Sequence, residues 1–241
     1  MRVAGRTDVG KQRAANEDSI LMLPEFGLVC VADGMGGHRG GRVASQMVTT
    51  ELARIIRETG HGLNGEELAD ALVEINERIH EMGSRTEELH AMGSTCVAAS
   101  LQGNQLYLAH VGDSRCYLSR NGQGQRLTSD HRAIQPMIDQ GALSESESRQ
   151  HPLRNVLTRS VGVEPHIEVE LQTRELEPGD RLLLCSDGLS DLVDQDEILG
   201  LLEQDRPLQE LAEELVRLAN EAGGTDNISV VLVEHLPGGE A

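Results

Sequence analysis

A short apolar run that ends on an aspartate and a glycine-rich turn constrains this chain most. The run is LVCVADGMGG, from Leu28 to Gly37, and a helical pattern of apolar residues follows it. Five consecutive apolar residues before a turn predict a buried strand over residues 28–32. Glycines after the strand allow backbone to approach the Asp33 carboxylate closely. This arrangement suits a Mg²⁺ or Mn²⁺ ligand, although a strand-end cap beside a simple turn explains it equally well.

Motif spacing and composition exclude several functions. The sequence contains no G-x-x-x-x-G-K-[ST] pattern, and the glycines after Asp33 do not fall on G-x-G-x-x-G. The 241 residues carry a formal net charge of -19, which repels nucleic acid and anionic membranes. With no Trp, two Tyr and one Phe, no stacking platform for single strands is expected. An acidic protein that binds phosphate must reverse its field locally, with a metal ion or an arginine.

The N-terminus and the cysteines favour a cytoplasmic location. The first ten residues, MRVAGRTDVG, lack the apolar segment of a signal peptide. No run approaches the roughly 18 apolar residues of a membrane span. The cysteines lie far apart in apolar, strand-like runs without zinc-ligand spacing, which favours buried and reduced thiols. They are Cys30, Cys96, Cys116 and Cys185.

The order of predicted strands and helices favours a layered α+β architecture in a single domain over residues 1–241. No linker, low-complexity run or internal repeat divides the chain. A polar segment over residues 6–19 precedes the first predicted strand. The predicted strands cover residues 20–23, 28–32, 94–100, 105–110, 114–119, 167–173, 181–185 and 228–233, and the predicted helices 42–57, 65–83, 195–203 and 208–222. Strands in runs with helices in pairs predict antiparallel sheets covered by helices, rather than βαβ winding.

Further carboxylates occur in the same setting at the ends of predicted strands. Asp113 and Asp187 each follow an apolar run beside a glycine, and Asp226 lies between a Gly-Gly turn and the last strand. Glu17 and Asp18 precede the first predicted strand. Each one alone is typical of a cap or a turn. Brought together they would repel one another unless divalent cations offset the charge, and the absence of spaced Cys or His ligands favours Mg²⁺ or Mn²⁺.

Arg13 is the cation that complements this acidic set. It precedes Glu17 by four residues, in the polar segment before the first predicted strand. A surface arginine is usually only solvated, but a planar guanidinium beside a metal pocket can hold two oxygens of a phosphate.

Six motifs follow one another along the chain in a specific order. They are R13 with NED, then VADGMGG, GST, VGDSR, CSDGL and GTDN. In this order they resemble the PP2C-type, metal-dependent serine/threonine phosphatases, the PPM family, in their compact bacterial form. The resemblance extends from about residue 6 to residue 233. It implies a four-layer α/β/β/α sandwich with two central antiparallel sheets and metal ions at one end.

The resemblance also implies a set of metal ligands. Asp33 would bridge two Mn²⁺ or Mg²⁺ ions, and the carbonyl of Gly34 would complete the first site. Asp187 and Asp226 would complete the second site. A third, weaker site would involve Asp113 and be shared with Asp187.

Other residues acquire roles around these ions by the same resemblance. Glu17 and Asp18 would act through metal-bound water, and Arg13 would hold the substrate phosphate. The irregular segment over about 141–162 resembles the flap that borders the site and influences substrate choice.

The implied reaction is hydrolysis of phosphoserine and phosphothreonine monoesters by a hydroxide that bridges the two ions, without a phospho-enzyme. Eukaryotic members of the family carry a histidine directly after the Asp-Gly pair, where this chain has Met35. Because methionine has no titratable proton, the leaving group would take its proton from His38 or from a metal-bound water.

Two other interpretations stay open on the sequence. Gly112-Asp113-Ser114 suggests a serine hydrolase, but no G-x-S-x-G is present and the serine opens a predicted strand. A catalytically silent phosphoprotein-binding module of the same fold would show degenerate ligands, whereas the aspartates are present. The expected partners are phosphorylated proteins and a cognate Ser/Thr kinase, with no nucleic acid and no membrane, and the chain is expected to be a monomer.

Overall fold

Two antiparallel sheets and the helices that cover them form the described part of the chain, which comprises residues 1–36, 39–149 and 151–236 of a computed structural model. The strands are β1 (Arg2–Asp8), β2 (Asp18–Leu23), β3 (Leu28–Met35), β4 (Gly93–Ser94), β5 (Cys96–Gln102), β6 (Gln105–Val111), β7 (Arg115–Arg120), β8 (Gln123–Arg126), β9 (Glu170–Glu175), β10 (Arg181–Cys185) and β11 (Ile228–Glu234). The helices are α1 (Gly40–Thr59), α2 (Gly65–Arg85), α3 (Gln135–Asp139), α4 (Glu145–Ser148), α5 (Asp187–Ser190), α6 (Gln195–Leu202) and α7 (Leu208–Glu221).

The sheets stack face to face between two helical layers. One sheet has the strand order β1-β11-β10-β7-β8, and the other has β2-β3-β5-β6-β9 with β4 beside β3. Helices α1 and α2 pack on the sheet that contains β3, and α6 and α7 pack on the sheet that contains β11. The predicted four-layer α/β/β/α sandwich with antiparallel sheets is confirmed.

Strand β3 explains why its sequence is continuously apolar. Successive side chains of a strand point to opposite faces of the sheet. Leu28, Cys30 and Ala32 pack toward α1 and α2, whereas Val29 and Val31 pack between the two sheets. Because both faces are buried, the strand contains no alternating polar positions, although the sheet is antiparallel. All four cysteines are free and buried, as predicted.

The two long helices begin and end on residues suited to those positions. Helix α2 begins with a capping box, in which Asn64 and Glu67 each accept a hydrogen bond from the other's backbone N–H. Helix α1 ends at Gly60, whose φ of 74° is accessible to glycine at little cost. In the described residues no helix is long and apolar enough to span a bilayer.

The sequence prediction was wrong at the sheet edges. It assigned residues 6–8 to a polar segment, but β1 pairs with β11 along its whole length. It started a strand at residue 167, whereas β9 begins at Glu170, and it missed β8. These three strands lie at sheet edges and have mostly exposed or half-buried residues. Edge strands lack the apolar pattern from which strands are predicted.

Candidate metal centre

The predicted carboxylates meet at one end of the sandwich. Strand β2 begins at Asp18, which pairs with Asp33 near the end of β3. Asp113 and Asp187 each follow a strand by two residues, and Asp226 precedes β11 by two. Because antiparallel neighbours run in opposite directions, the start of one strand lies beside the end of the next, at the same end of the sandwich. The pocket at this edge has a volume of about 400 Å³, and its lining includes Arg13, Glu17, Asp33, Gly34, Asp113, Asp187 and Asp226.

Ser94 and Thr95 hold the backbone that carries Asp33. Its carbonyl oxygen accepts the N–H of Thr95 at 2.8 Å and the hydroxyl of Ser94 at 3.0 Å, and its own N–H donates to the Thr95 hydroxyl at 3.0 Å. A Cβ at Gly34 would lie 2.1 Å from the carbonyl oxygen of Gly41, so only glycine fits there. The Ser-Thr pair therefore positions the aspartate, a role that sequence analysis left unassigned.

Asn227 ties the N-terminal loop to the pocket. Its Oδ1 accepts the N–H of Glu17 at 2.8 Å, and its Nδ2 donates to two carbonyl oxygens of the same loop. The loop carries Arg13, whose Nη2 donates to Asp226 Oδ2 at 2.7 Å. The Arg13 side chain is 53% exposed, so it stands on the solvent side of the carboxylates. The GTDN motif contains this asparagine, but nothing in the sequence indicates that it binds the loop.

Burial and mutual repulsion raise the pKa values of the carboxyl groups. Burial is the largest cause for Asp33 and Asp187, whose pKa values lie well above the usual range, and neighbouring carboxylates add to it. Burial also raises the pKa of Asp18 to about 6. The Oδ1 atoms of Asp18 and Asp187 are buried without a hydrogen-bond partner among the described residues. Unpartnered oxygens of this kind are costly to keep in a fold.

The donor set fits hard divalent cations. The pocket offers carboxylate oxygens and the Gly34 backbone, and oxygen donors of this type suit Mg²⁺ and Mn²⁺. A cation beside the unpartnered Oδ1 atoms would offset the repulsion that raises the pKa values of these groups. Met35, which directly follows Asp33 and Gly34 in the sequence, also lines the pocket. His38, the predicted proton donor, lies outside the described residues.

Arg132 is a buried cation beside this pocket that the sequence prediction did not include. Its Nε donates to Asp113 Oδ2 at 2.6 Å. Its Nη1 and Nη2 donate to the two carboxylate oxygens of Asp191 at 3.1 and 3.3 Å, and Nη2 lies 3.6 Å from Asp187 Oδ2. No motif announces this arginine, because it occurs in an irregular segment after β8.

A second group of possible metal ligands fits a structural role better. One atom from each of His110, His131 and Glu170 lies within 4.8 Å of the others. His131 Nδ1 accepts the N–H of Gly112 at 3.1 Å, so its Nε2 carries the proton and points to Glu170 Oε2 at 3.3 Å. A ring with both nitrogens used in this way has no lone pair for a metal. The Arg159 guanidinium, 3.5 Å from Nε2, further opposes a cation.

The predicted flap contributes side chains next to the carboxylates. Asn155 and Leu157 line the carboxylate pocket. Arg149 and Arg154 line an adjoining pocket of about 330 Å³ together with Arg13. Three aspartates line the same pocket, so these arginines offset part of its negative charge.

A comparison with protein families decides the family. The family model described as Protein phosphatase 2C matches residues 10–233, which is nearly the whole chain. The chain belongs to the protein phosphatase 2C family. The resemblance inferred from the six ordered motifs is thereby confirmed.

Individual relatives support the same family over their full length. A putative protein phosphatase 2C-type of Streptococcus pyogenes is 38% identical over 98% of each chain. The crystal structure of the Mycobacterium tuberculosis serine/threonine phosphatase PstP/Ppp superposes with a TM-score of 0.88 at 39% identity, covering 97% of this chain and 99% of that one. A structure of the PstP catalytic domain in complex with two manganese ions gives a TM-score of 0.89 at 37% identity, covering 98% of each chain.

Proposed function

We propose that this protein hydrolyses phosphoserine and phosphothreonine monoesters in proteins, with two divalent cations in the carboxylate pocket. One observation carries the proposal. Carboxylates converge at one end of the sandwich, and two of them, Asp18 and Asp187, keep a buried oxygen atom unpartnered, in a chain that belongs to a phosphatase family. A purely structural cluster would pair these oxygens with donors, because unpaired buried polar groups are costly.

We propose Mn²⁺ or Mg²⁺ as the cations. Asp33 would contact both ions, the Gly34 carbonyl would contact one, and Asp187 and Asp226 the other. Glu17 and Asp18 would act through water. When bound, the ions supply Lewis acidity that activates water for attack and offsets charge on the phosphate oxygens. The related PstP catalytic domain, solved with two manganese ions, supports this assignment.

Arg13 is proposed to hold the substrate phosphate. One of its terminal nitrogens already bonds Asp226, which orients the guanidinium. The side chain is 53% exposed and lines the pocket, so its remaining N–H groups are accessible to two oxygens of a phosphate. Arg149 and Arg154 of the proposed flap, residues 141–162, would attract the phosphate and acidic residues of a substrate.

The leaving alkoxide needs a proton from a group other than residue 35, since that residue is methionine. His38 stays a proposed donor, with a metal-bound water as the alternative. A His38→Ala variant distinguishes them: loss of the alkaline limb of its kcat–pH profile, where a proton donor loses its proton, together with reduced kcat would favour the histidine. An unchanged profile would favour the water.

We further propose that the chain acts as one domain over residues 1–241 and as a monomer. Its substrates are phosphorylated proteins, including a cognate Ser/Thr kinase and the targets of that kinase. The cytoplasmic location expected from the sequence stays a prediction.

The first experiment measures phosphate release from a phosphothreonine peptide with and without Mn²⁺, beside the Asp187→Asn variant. We expect release that requires Mn²⁺ and is lost in the variant. Wild-type protein that is folded and binds Mn²⁺ but releases no phosphate would support the silent phosphoprotein-binding module. Equal release in EDTA would contradict the metal centre.

A further inference from the structure

The guanidinium of Arg132 lies where the resemblance implied a third metal ion. That site would use Asp113 and Asp187. In the structure Arg132 Nε bonds Asp113 Oδ2 at 2.6 Å, and Nη2 lies 3.6 Å from Asp187 Oδ2. The two terminal nitrogens also bond both oxygens of Asp191. With Asp130 Oδ2 3.8 Å from its Nε, this arginine lies within ion-pair distance of four carboxylates, of which Asp130 is also paired with Arg115.

Backbone hydrogen bonds on both sides fix the segment that carries Arg132. The N–H of His131 donates to the Gly112 carbonyl at 2.9 Å, directly before Asp113 in sequence. On the other side, the N–H of Thr158 donates to the His131 carbonyl at 2.8 Å, and Arg132 forms a β-bridge with Leu157. The stacked His110 and His131 rings, with centroids 4.6 Å apart, hold the same segment against β6.

Burial makes this arginine unlike the solvated arginines of the surface. Arg132 is 6% exposed and Asp113 is 4% exposed. An ion pair shielded from water in this way is screened far less than a surface pair. The contact between Arg132 and Asp191 is also geometrically specific, because the fork of the guanidinium faces both carboxylate oxygens.

A third divalent ion and this guanidinium compete for the same oxygens. Mg²⁺ and related ions contact a carboxylate oxygen at about 2.0–2.6 Å. The Asp113 oxygen within reach of Nε and both Asp191 oxygens already accept hydrogen bonds from Arg132. An ion at these atoms would have to displace a buried positive charge and would be repelled by it.

We propose that Arg132 is a resident cation that takes the place of a third metal ion, so that this phosphatase binds two Mn²⁺ ions and not three. The inference rests on the proposed function, because it presumes a two-ion centre. Arg132 then acts as a positioning residue: it faces Asp187 Oδ2, whereas the unpartnered Oδ1 stays available to the two-ion centre.

The test counts bound Mn²⁺ per chain by equilibrium dialysis and atomic emission, over a wide range of free Mn²⁺. We expect about two ions on the wild type and about three on Arg132→Ala, because removing the guanidinium leaves three uncompensated carboxylates. Arg132→Lys keeps a cation and is expected to bind about two. Arg120→Ala is the matched control. It breaks the ion pair between Arg120 and Asp180 at the end of the sandwich away from the carboxylate pocket, and should leave the count at two.

Circular dichroism shows whether each variant is folded. If Arg132→Ala does not fold, Arg132→Gln replaces it, since glutamine retains one donor and loses the charge. A third ion on the wild type, or an unchanged count in a folded uncharged variant, would overturn the inference and leave the proposed function intact. A wild type that binds no Mn²⁺ would instead overturn the proposed function. Adding Asp113→Asn to Arg132→Ala should remove the third ion again, because Asp113 is the ligand that the implied third site does not share with the two-ion centre.

Discussion

The two ends of the β-sandwich treat their aspartates in opposite ways. At one end, Asp180 directly precedes β10 and accepts hydrogen bonds from the Arg120 guanidinium and from the N–H of Glu177. At the other end, Asp187 follows the same strand by two residues and leaves Oδ1 buried without a partner. Two aspartates at the ends of one short strand thus differ in whether the protein satisfies them.

The difference separates stabilising groups from groups kept for a ligand. A buried carboxylate with donors on its oxygens supports the fold. One without them, with its pKa raised by burial, indicates a functional site. Pocket size does not make this distinction here. A larger cavity of about 720 Å³ lies at the Asp180 end, between the turns at residues 24–27, 60–62 and 102–104, and none of the unpartnered carboxylate oxygens line it.

The largest effect is expected from Asp187→Asn. Loss of a cation ligand removes several kcal/mol of charge stabilisation in the transition state, so kcat should fall by about a thousandfold. Steady-state assays with a phosphothreonine peptide at saturating Mn²⁺ measure this. The matched variant Asp180→Asn should keep kcat within about twofold. Activity of Asp187→Asn within a few-fold of wild type would contradict the assignment of Asp187 as a cation ligand.

Stabilisation by Mn²⁺ should depend on pH in a definite direction. The folded pKa of Asp18 is about 6, against about 3.9 for an unfolded aspartate. A raised pKa favours the metal-free fold below about pH 4, and this contribution is lost as pH rises through 6. Mn²⁺ binds the ionised carboxylates, so its stabilising effect grows over the same range.

At free Mn²⁺ about 100-fold above its Kd, the gain at pH 7.5 should be about 2.7 kcal/mol, or roughly 5–10 °C in Tm. The gain should be clearly smaller at pH 5.5. Thermal melts with and without Mn²⁺ at both pH values give the comparison. The Asp180→Asn variant should show the same gain as the wild type, and the Asp187→Asn variant should lose most of that gain. Equal gains at both pH values would contradict ligation by groups with raised pKa values.

In the metal-free protein we expect Asp180→Asn, and not Asp187→Asn, to have the larger effect on stability. Asp180→Asn weakens a charge-assisted pair and should reduce the free energy of unfolding by about 2 kcal/mol. Asp187→Asn removes a repelling charge and should leave the free energy of unfolding unchanged or raise it. Urea unfolding in EDTA measures both. A larger loss of stability in Asp187→Asn than in Asp180→Asn would show that Asp187 supports the fold.

The sequence predicts the carboxylate end well for a physical reason. Central strands such as β3 and β10 are buried on both faces, so their apolar runs are unmistakable and their ends are easy to place. Glycines that permit close backbone contact mark the turns beside Asp33 and Asp187. At Gly188, a Cβ would lie 1.9 Å from the Asn227 carbonyl oxygen. Positions with such strict steric demands can be recognised from a single sequence.

The residues that sequence analysis missed act through long-range contacts. Arg132 reaches Asp191 across 59 positions, and Asn227 reaches the N–H of Glu17 across 210. Nothing in the local pattern around either residue specifies its partner, because the contact depends on how the two sheets stack. Edge strands β1 and β8 were missed for a different reason, since partial exposure removes the apolar pattern.

The smallest effect is expected from Arg13→Ala. Its guanidinium is half exposed, so water screens its charge, and the loss should be about tenfold in kcat/KM, or about 1.4 kcal/mol. The change should appear mainly in KM, because Arg13 is proposed to bind the phosphate in substrate and transition state alike. Arg13→Lys should recover part of the loss, as an ammonium keeps the charge but not the two-pronged geometry. Competitive inhibition by inorganic phosphate gives an independent measure, since its Ki should rise in parallel with KM. A fall in kcat alone, with Ki unchanged, would instead place Arg13 with the carboxylates, as an orienting partner of Asp226.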